Sequence, residues 1–491
     1  MNKQKKKMLI KITGMLTLIE GIALLPCVIA SLVYDNNNTV YALLVLSLLF
    51  ITFGVVTIRT LKSYRFKLKP YEGFLVSTLC WVYCSFLGSL PYRFGGNNYT
   101  FIRSLFESAA GFTTTGCTVF NLDLMPKGLL LWRALSSWLG GMGILLLVVS
   151  VLPALGISGQ RIASTETTGP SLEKFGGRFS STGQFLYVIY SLFTLVEFIL
   201  LAMGPLPMFD AFINTCSSIS TGGLLITSKT APAFSNIYIR AVIMAFTLLS
   251  SMNFTLYHHF IGGRHRAITS NAEVRTFWFI IAISTFLITI DLVHSKTYTN
   301  AFQAFKDGIS QVISFISTSG YYVCDYSRWP TFTTILLFVL LLIGGCSMST
   351  SGSLKVIRVM VFFKLIARGL FKQIHPRSVK AVKISGKAIS AEKVAEITAH
   401  ILLYFMVLFF SFVVVSFDNL GMTTTITTVI GTFTNTGIAI GGPGATGYFG
   451  MFSNFSLFYL TFLMIVGRLE MFAILVLFTK SFRNINRPEQ I

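Results

Sequence analysis

The chain has 491 residues, of which 53% are apolar and only 12% charged, and its mean hydropathy is +0.71. This excludes a soluble domain of that length and points to a chain embedded in lipid. The 39 Lys and Arg against 18 Asp and Glu leave a net charge of +21, but its distribution argues against a nucleic-acid partner. Basic residues cluster at 3–11, 59–69, 264–275, 364–393 and 480–487, while the loops around 35–39 and 418–453 have none. Roughly two thirds of them fall on one face, the bias that orients membrane proteins. The seven cysteines are odd in number, lie mostly inside apolar runs and form no CxxC pair, so a disulfide framework or structural zinc site is not expected.

In chain order, the basic start Met1–Lys7 leads into an apolar run, 8–33, without a small-residue cleavage site, which predicts a retained span. A second span is predicted at 40–58, joined to the first by the polar turn Asp35-Asn36-Asn37-Asn38. A pattern of long helix, short helix, polar glycine stretch and long helix then recurs roughly every hundred residues. Its pieces are 72–92, 98–112, 113–118 and 126–155; then 183–204, 208–219, 220–224 and 234–261; then 275–294, 299–316, 317–322 and 330–370; and finally 395–417, 419–433, 434–438 and 451–480. The short helices cannot cross about 30 Å of hydrocarbon, so they are read as re-entrant from the outer side. Each repeat then crosses twice, giving about ten crossings, with every basic cluster and both termini cytoplasmic. The polar segment 156–182 and the basic segment 371–393 are read as cytoplasmic connections. The resulting units are a hairpin, 1–69, and repeats at 70–160, 161–265, 266–393 and 394–491.

The four polar stretches are Thr113-Thr114-Thr115-Gly116-Cys117, Ser220-Thr221-Gly222-Gly223, Ser317-Thr318-Ser319-Gly320-Tyr321 and Thr434-Asn435-Thr436-Gly437-Ile438. Non-helical backbone at membrane depth is tolerated only where it is buried or lines a wet path. Four such segments predict a ring of carbonyls around an ion, with glycine supplying dihedrals that cost other residues. Thr and Ser add hydroxyl oxygens, and the absence of carboxylates at the glycines argues for a monovalent cation. The short helices point their carbonyl ends inward, which favours a cation there, and Asp210 and Asp418 are placed as caps at two outer starts. One Ser-Thr-Gly in a membrane chain is more often close packing; four at matching places reverse that preference. Gly140-Gly141-Met142-Gly143, inside a predicted long helix and without counterparts, is read as packing.

The third repeat's second long helix is interrupted by ten small or polar residues, 344–353, followed by Lys355 and Arg358. Such a stretch either faces a cavity or forms a packed kink. Lys355 and Arg358 are expected to mark its cytoplasmic side. Arg468, within the last span, needs a partner in lipid, and Glu470 is its nearest candidate. Glu20 and Glu197 also lie within spans without an assignable partner, and His258, His259 and His265 are read as interfacial.

Phe106-Glu107-Ser108-Ala109-Ala110-Gly111-Phe112-Thr113-Thr114-Thr115-Gly116, and Asp210-Ala211-Phe212 leading to Ser220-Thr221-Gly222-Gly223, resemble the pore loops of the TrkH/KtrB superfamily of potassium-translocating subunits. The extra N-terminal helix pair is similar to the TrkH branch. The resemblance implies an all-α polytopic membrane protein with four repeats in pseudo-fourfold arrangement around one central pore. It implies that Gly116, Gly222, Gly320 and Gly437 are the filter glycines, and that potassium sits among them and Thr114, Thr115, Thr221, Thr318, Ser319, Asn435 and Thr436. It makes Gly345, Cys346, Ser347, Met348, Ser349, Thr350, Ser351 and Gly352 an intramembrane gate loop, held in part by Arg468. Plant relatives with serine at the first glycine favour sodium, so glycine at all four implies potassium. Gly441-Gly442-Pro443-Gly444 after the fourth filter departs from the family pattern, so the outer mouth is expected to differ.

The expected function is potassium uptake across the bacterial inner membrane, driven by the membrane potential. No GxxxxGK[ST] phosphate loop occurs, so neither a bound nucleotide nor enzymatic activity is expected of this chain. The family implies a homodimer in membrane lipid and a TrkA-like cytosolic ring of nucleotide-binding regulatory subunits. Two rivals stand beside it. One is a sodium-permeable or poorly selective relative, and the other a proton-coupled carrier, which would be expected to have paired halves and midplane carboxylates.

Overall fold

The computed structural model describes residues 3–35, 37–61, 70–96, 99–143, 179–223, 235–263, 266–378, 381–441 and 448–479. The connection at 156–182, His265, the Gly442-Pro443-Gly444 turn and the basic cluster at 480–487 lie outside them. Among the described residues the chain is helical apart from one small hairpin, Lys383–Ile384 paired antiparallel with Lys387–Ala388. This hairpin sits within the expected basic connection, after a helix that runs on to Ile374.

Six helices are long and apolar enough to cross a membrane, as a multi-pass protein requires. They are the N-terminal pair, Lys6–Tyr34 and Asn37–Thr60, and the leading helix of each repeat: Gly73–Gly95, Gln184–Ala202, Ala272–His294 and Ala391–Asp418. Phe279, Phe286, Leu402 and Phe409 remain exposed on the leading helices, an apolar belt suited to lipid. The N-terminal pair crosses at small residues, where a side chain on Gly14, Gly21 or Gly54 would strike the opposite helix. Asp35, in the turn between them, accepts from the backbone N–H groups of Lys127 and Gly128, both at 2.7 Å. It thereby caps a helix of the first repeat from another element.

The short helices are Phe101–Phe112, Met208–Ile219, Ala301–Ile316 and Met422–Phe433. None is long enough to span, and each runs directly into one of the glycine stretches. Asp210 and Asp418 do not cap them. The second short helix starts at Pro207 without a side-chain cap, and Asp418 instead accepts from the backbone and hydroxyl of Ser453, at 2.9 and 2.6 Å.

The trailing helices depart most from expectation. Instead of one break, in the third repeat, there is an interruption in all four. The first ends at Gly141, before Met142 and the left-handed Gly143. The second is Ile237–Ser250 followed, across a 91° bend, by Phe254–Ile261, which Asn253 caps. The third is Thr331–Ile343, then the loop, then Val356–Ile374. The fourth ends at Arg468, passes through Glu470 and Met471 at positive φ, and resumes at Phe472. The continuous helices expected over 126–155, 234–261 and 451–480 are therefore corrected. Breaks of two or three residues barely disturb an apolar run, so periodicity does not register them.

Candidate functional site

The four glycine stretches share one backbone construction. The first residue of each (Thr113, Ser220, Ser317, Thr434) still donates its N–H four residues back, as in a helix. The second donates three back: Thr114 to Gly111, Thr221 to Ser218, Thr318 to Phe315 and Asn435 to Thr432. The third donates five back: Thr115 to Ala110, Gly222 to Ser217, Ser319 to Ser314 and Thr436 to Gly431. The fourth, at positive φ, is Gly116, Gly223, Gly320 and Gly437. This register makes Gly223, not the expected Gly222, the counterpart of Gly116.

Gly222 has a separate reason to be glycine. In the other repeats the first and third residues join their hydroxyls, as in Thr113 with Thr115 at 2.7 Å and Thr434 with Thr436 at 3.0 Å. In the second repeat, Ser220 bonds instead to Ser137 of the first repeat, at 2.9 Å. A side chain on Gly222 would collide with the Ser137 hydroxyl.

The second residues are all left-handed, with φ of 57° at Thr114, 52° at Thr221, 58° at Thr318 and 56° at Asn435. Asn tolerates this region, whereas β-branched Thr does not, at a cost of about 1–3 kcal/mol each. Such strain persists only where the surroundings dictate it. The four fourth-position glycines dictate it collectively, because a Cβ on each would strike the third-residue carbonyl of the next repeat. Gly116 faces the carbonyl of Gly222, Gly223 that of Ser319, Gly320 that of Thr436, and Gly437 that of Thr115. The cycle closes on itself. Since each segment follows a short helix, four helix C-termini converge on this ring, and their partial negative charge favours a cation.

Beneath the ring lies the interrupted third trailing helix. Its loop touches two ring segments: Gly352 N–H donates to the Thr318 hydroxyl at 2.7 Å, and Thr221 donates to the Thr350 hydroxyl at 3.2 Å. Cys346 and Thr350 donate their N–H groups to the carbonyls of Ser251 and Ser250, at 3.0 and 3.2 Å, and Phe254 returns a bond to Met348 at 3.1 Å. Glu273, at the start of the third leading helix, accepts from the Ser347 N–H and hydroxyl at 2.6 and 2.7 Å. Inside the loop, Ser349 bonds to Ser351 at 2.7 Å, and Gly345 is packed so closely that a Cβ would meet Ser351 and the Ser251 carbonyl. Arg468 donates to the Thr350 carbonyl at 2.9 Å and to the carbonyls of Gly140 and Gly141 at 2.6 and 2.7 Å.

Several expected pairings change. Glu470 pairs with Arg358 rather than Arg468. Lys355 is buried and donates to the Ser351 carbonyl, so it belongs to the loop and not to its cytoplasmic margin. Gly140 does pack closely, since a Cβ there would strike the Phe112 carbonyl, but with Gly141 it also supplies acceptors for Arg468. Glu197 accepts from Ser218 on the second short helix, and Glu20 is buried beside Cys84. His258 packs edge-on against Phe185.

Gly223, Ser250, Ser251 and Glu273 escaped the sequence reading, as did an ion pair between Glu107 and Arg133 behind the first segment. For the ion pair, the available signal was two opposite charges inside apolar runs of one repeat.

The chain is similar over nearly its full length to characterised transport proteins. It is 32% identical to the Trk system potassium uptake protein TrkH of Halomonas elongata over 97% of this chain and 99% of that one. It is also 32% identical to the Trk system potassium uptake protein TrkH of Vibrio parahaemolyticus, covering 96% and 98% of the two chains. The crystal structure of the potassium transporter TrkH from Vibrio parahaemolyticus superposes with a TM-score of 0.86 at 28% identity, covering 98% of this chain and all of that one. The TrkH family, described as cation transport proteins, is matched over residues 44–485. With that family match extending across the ring, the loop beneath it and all four repeats, the chain belongs to the TrkH family of cation transport proteins.

Proposed function

We propose that the chain takes up potassium through one pore, with dehydrated ions held by backbone carbonyls of the four glycine segments. The observation that carries this reading is the closed cycle of glycine-to-carbonyl approaches, which sets four oxygen-bearing turns around a common centre. Glycine at every fourth position and the names of the similar proteins favour potassium. The third residues Thr115, Gly222, Ser319 and Thr436 supply the carbonyls of the ring. Thr114, Thr221, Thr318 and Asn435 fix its curvature, and Gly116, Gly223, Gly320 and Gly437 make the close approach feasible. The membrane potential drives entry, at about 2.3 kcal/mol per charge per 100 mV.

In this reading the loop from Gly345 to Gly352 is the gate. It lies against the ring through Thr221 and Thr318, and Arg468 and Glu273 secure it. The protein works as a homodimer in the bacterial inner membrane with both termini cytoplasmic. Lys372, Arg377, Lys383 and Lys387, exposed on the third trailing helix and the hairpin after it, form part of the basic face that receives a nucleotide-binding regulatory ring. Uptake by proteoliposomes under an imposed potential, without a proton gradient, tests the reading. Potassium flux with a reversal potential that discriminates against sodium is expected; a strict requirement for a proton gradient would favour a carrier instead.

A further inference from the structure

Two buried Arg–carboxylate pairs lie among the helices around the ring, and only one of them reaches it. Arg240 of the second trailing helix pairs with Asp307 of the third short helix. That carboxylate also accepts from Tyr298 at 3.0 Å and Gln303 at 2.9 Å, so its donors come from surrounding helices and loops rather than from a glycine segment. Arg133 of the first trailing helix pairs with Glu107 of the first short helix, and its other nitrogen donates to the carbonyls of both Gly116 and Cys117. Glu107 in turn accepts from the Thr118 hydroxyl and the Val119 N–H, each at 3.0 Å. Four consecutive residues of the chain leaving the first segment are thus fastened to one ion pair. The third and fourth segments are braced there by neutral groups, Ser314 on the Tyr321 carbonyl at 3.0 Å and Ile440 N–H on the Thr427 hydroxyl at 2.9 Å.

We propose that Arg133, held by Glu107, is a positioning residue that sets the cation selectivity of the pore by fixing the first filter segment. This rests on the filter reading given above. A carbonyl engaged by a guanidinium is not free to turn toward an ion, so Arg133 withholds the Gly116 and Cys117 oxygens and leaves Thr115 to contribute at ring level. The rigid fork of the guanidinium is what allows one side chain to hold a carboxylate and two successive carbonyls at once. The ring is therefore fourfold in backbone but not in its support, and the first repeat has the stiffest wall.

The test compares wild type, R133K and R240K in liposomes, reading reversal potentials in mixed potassium and sodium together with thermal stability. Lysine keeps a charge beside the carboxylate in both variants but cannot reproduce the fork. R133K is expected to lower the potassium-to-sodium ratio about tenfold, the scale of one lost charge-assisted hydrogen bond. R240K should lose comparable thermal stability and keep the wild-type ratio. An unchanged ratio in R133K, or an equal fall in R240K, overturns the proposal. If R133K does not assemble, the neutral double variant Arg133→Met with Glu107→Gln, which leaves no buried charge unpaired, is read in the same way. A wild-type ratio there overturns the proposal, and failure of both to assemble assigns the pair to folding and overturns it too. Absence of discrimination in the wild type instead sinks the filter reading itself, and this proposal with it.

Discussion

The ring of glycine segments and the helix breaks beneath it both recur four times, yet one is nearly uniform and the other is not. At the ring, each repeat uses the same sequence of backbone bonds, the same left-handed second residue and the same glycine against the next repeat's carbonyl. At the breaks, the first repeat has a glycine stop, the second a capped 91° bend, the third a long loop and the fourth two left-handed residues. Elements that must meet around one centre are held to one geometry. The breaks meet no such condition, so they have diverged into complementary parts, a loop and its holders. Ser250 and Ser251 of one break, Gly140 and Gly141 of another and Arg468 of the last all reach toward the third. Selection is then a property shared among the repeats, and gating a property of one repeat held by the rest.

The largest effect should come from breaking uniformity at the ring. Gly223→Ala adds a Cβ that strikes the Ser319 carbonyl, at a φ that already disfavours a side chain. Potassium uptake should be lost while the protein still assembles. Gly222→Ala strikes only side-chain hydroxyls, of Ser137 and Ser220, among its nearest neighbours. Removing the nearer one with Ser137→Gly should restore uptake to Gly222→Ala and not to Gly223→Ala. The reverse pattern of rescue would return the filter role to Gly222.

Next come the holders of the loop. Arg468→Ala removes three bonds to carbonyls of two repeats, each of the charge-assisted kind worth about 1.5–3 kcal/mol. Unstimulated uptake should rise on the order of tenfold or more, because the equilibrium between held and released loop shifts by that energy. The potassium-to-sodium ratio should stay where it was. A changed ratio without a change in resting flux would join Arg468 to the ring instead. Glu273→Gln keeps one acceptor oxygen for Ser347 and loses only charge and one bond, so its rise in resting flux should be about threefold. Tracer uptake without any regulator, compared across both variants, checks the ranking.

This contrast also explains what could be read from the residues alone. Thr-rich glycine stretches at a constant spacing announce themselves, because a shared axis enforces a shared pattern. The choice between Gly222 and Gly223 does not, since spacing is uncertain by more than one residue and only the backbone bonds fix the register. The loop at 344–353 was visible because ten small and polar residues interrupt a span, whereas Met142-Gly143 and Ser251-Met252-Asn253 are too brief to disturb hydropathy. Arg468 was conspicuous as a charge in lipid, but Glu470 beside it in sequence was a poor guide to its partners, which lie more than a hundred residues away. Glu107 and Arg133, 26 residues apart, needed the packed repeat to bring them together.

The smallest effect should come from a residue that serves neither level. Asp35 bridges the N-terminal hairpin to the start of the first trailing helix, accepting from Lys127 and Gly128 at the opposite end of that helix from Gly140 and Gly141. Asp35→Ala deletes both bonds and leaves two N–H groups at a helix start unpaired, a loss of roughly 1 kcal/mol for a cap of this type. Thermal stability in detergent should fall slightly, with neither the ion ratio nor the resting flux altered. The reason is geometric. The first trailing helix meets the ring through Arg133 and Ser137, and the loop through its last carbonyls, all of them held by partners other than its N-terminus. Should the flux rise in Asp35→Ala, the hairpin would be part of the hold on the gate, transmitted along that helix to the carbonyls that Arg468 grips.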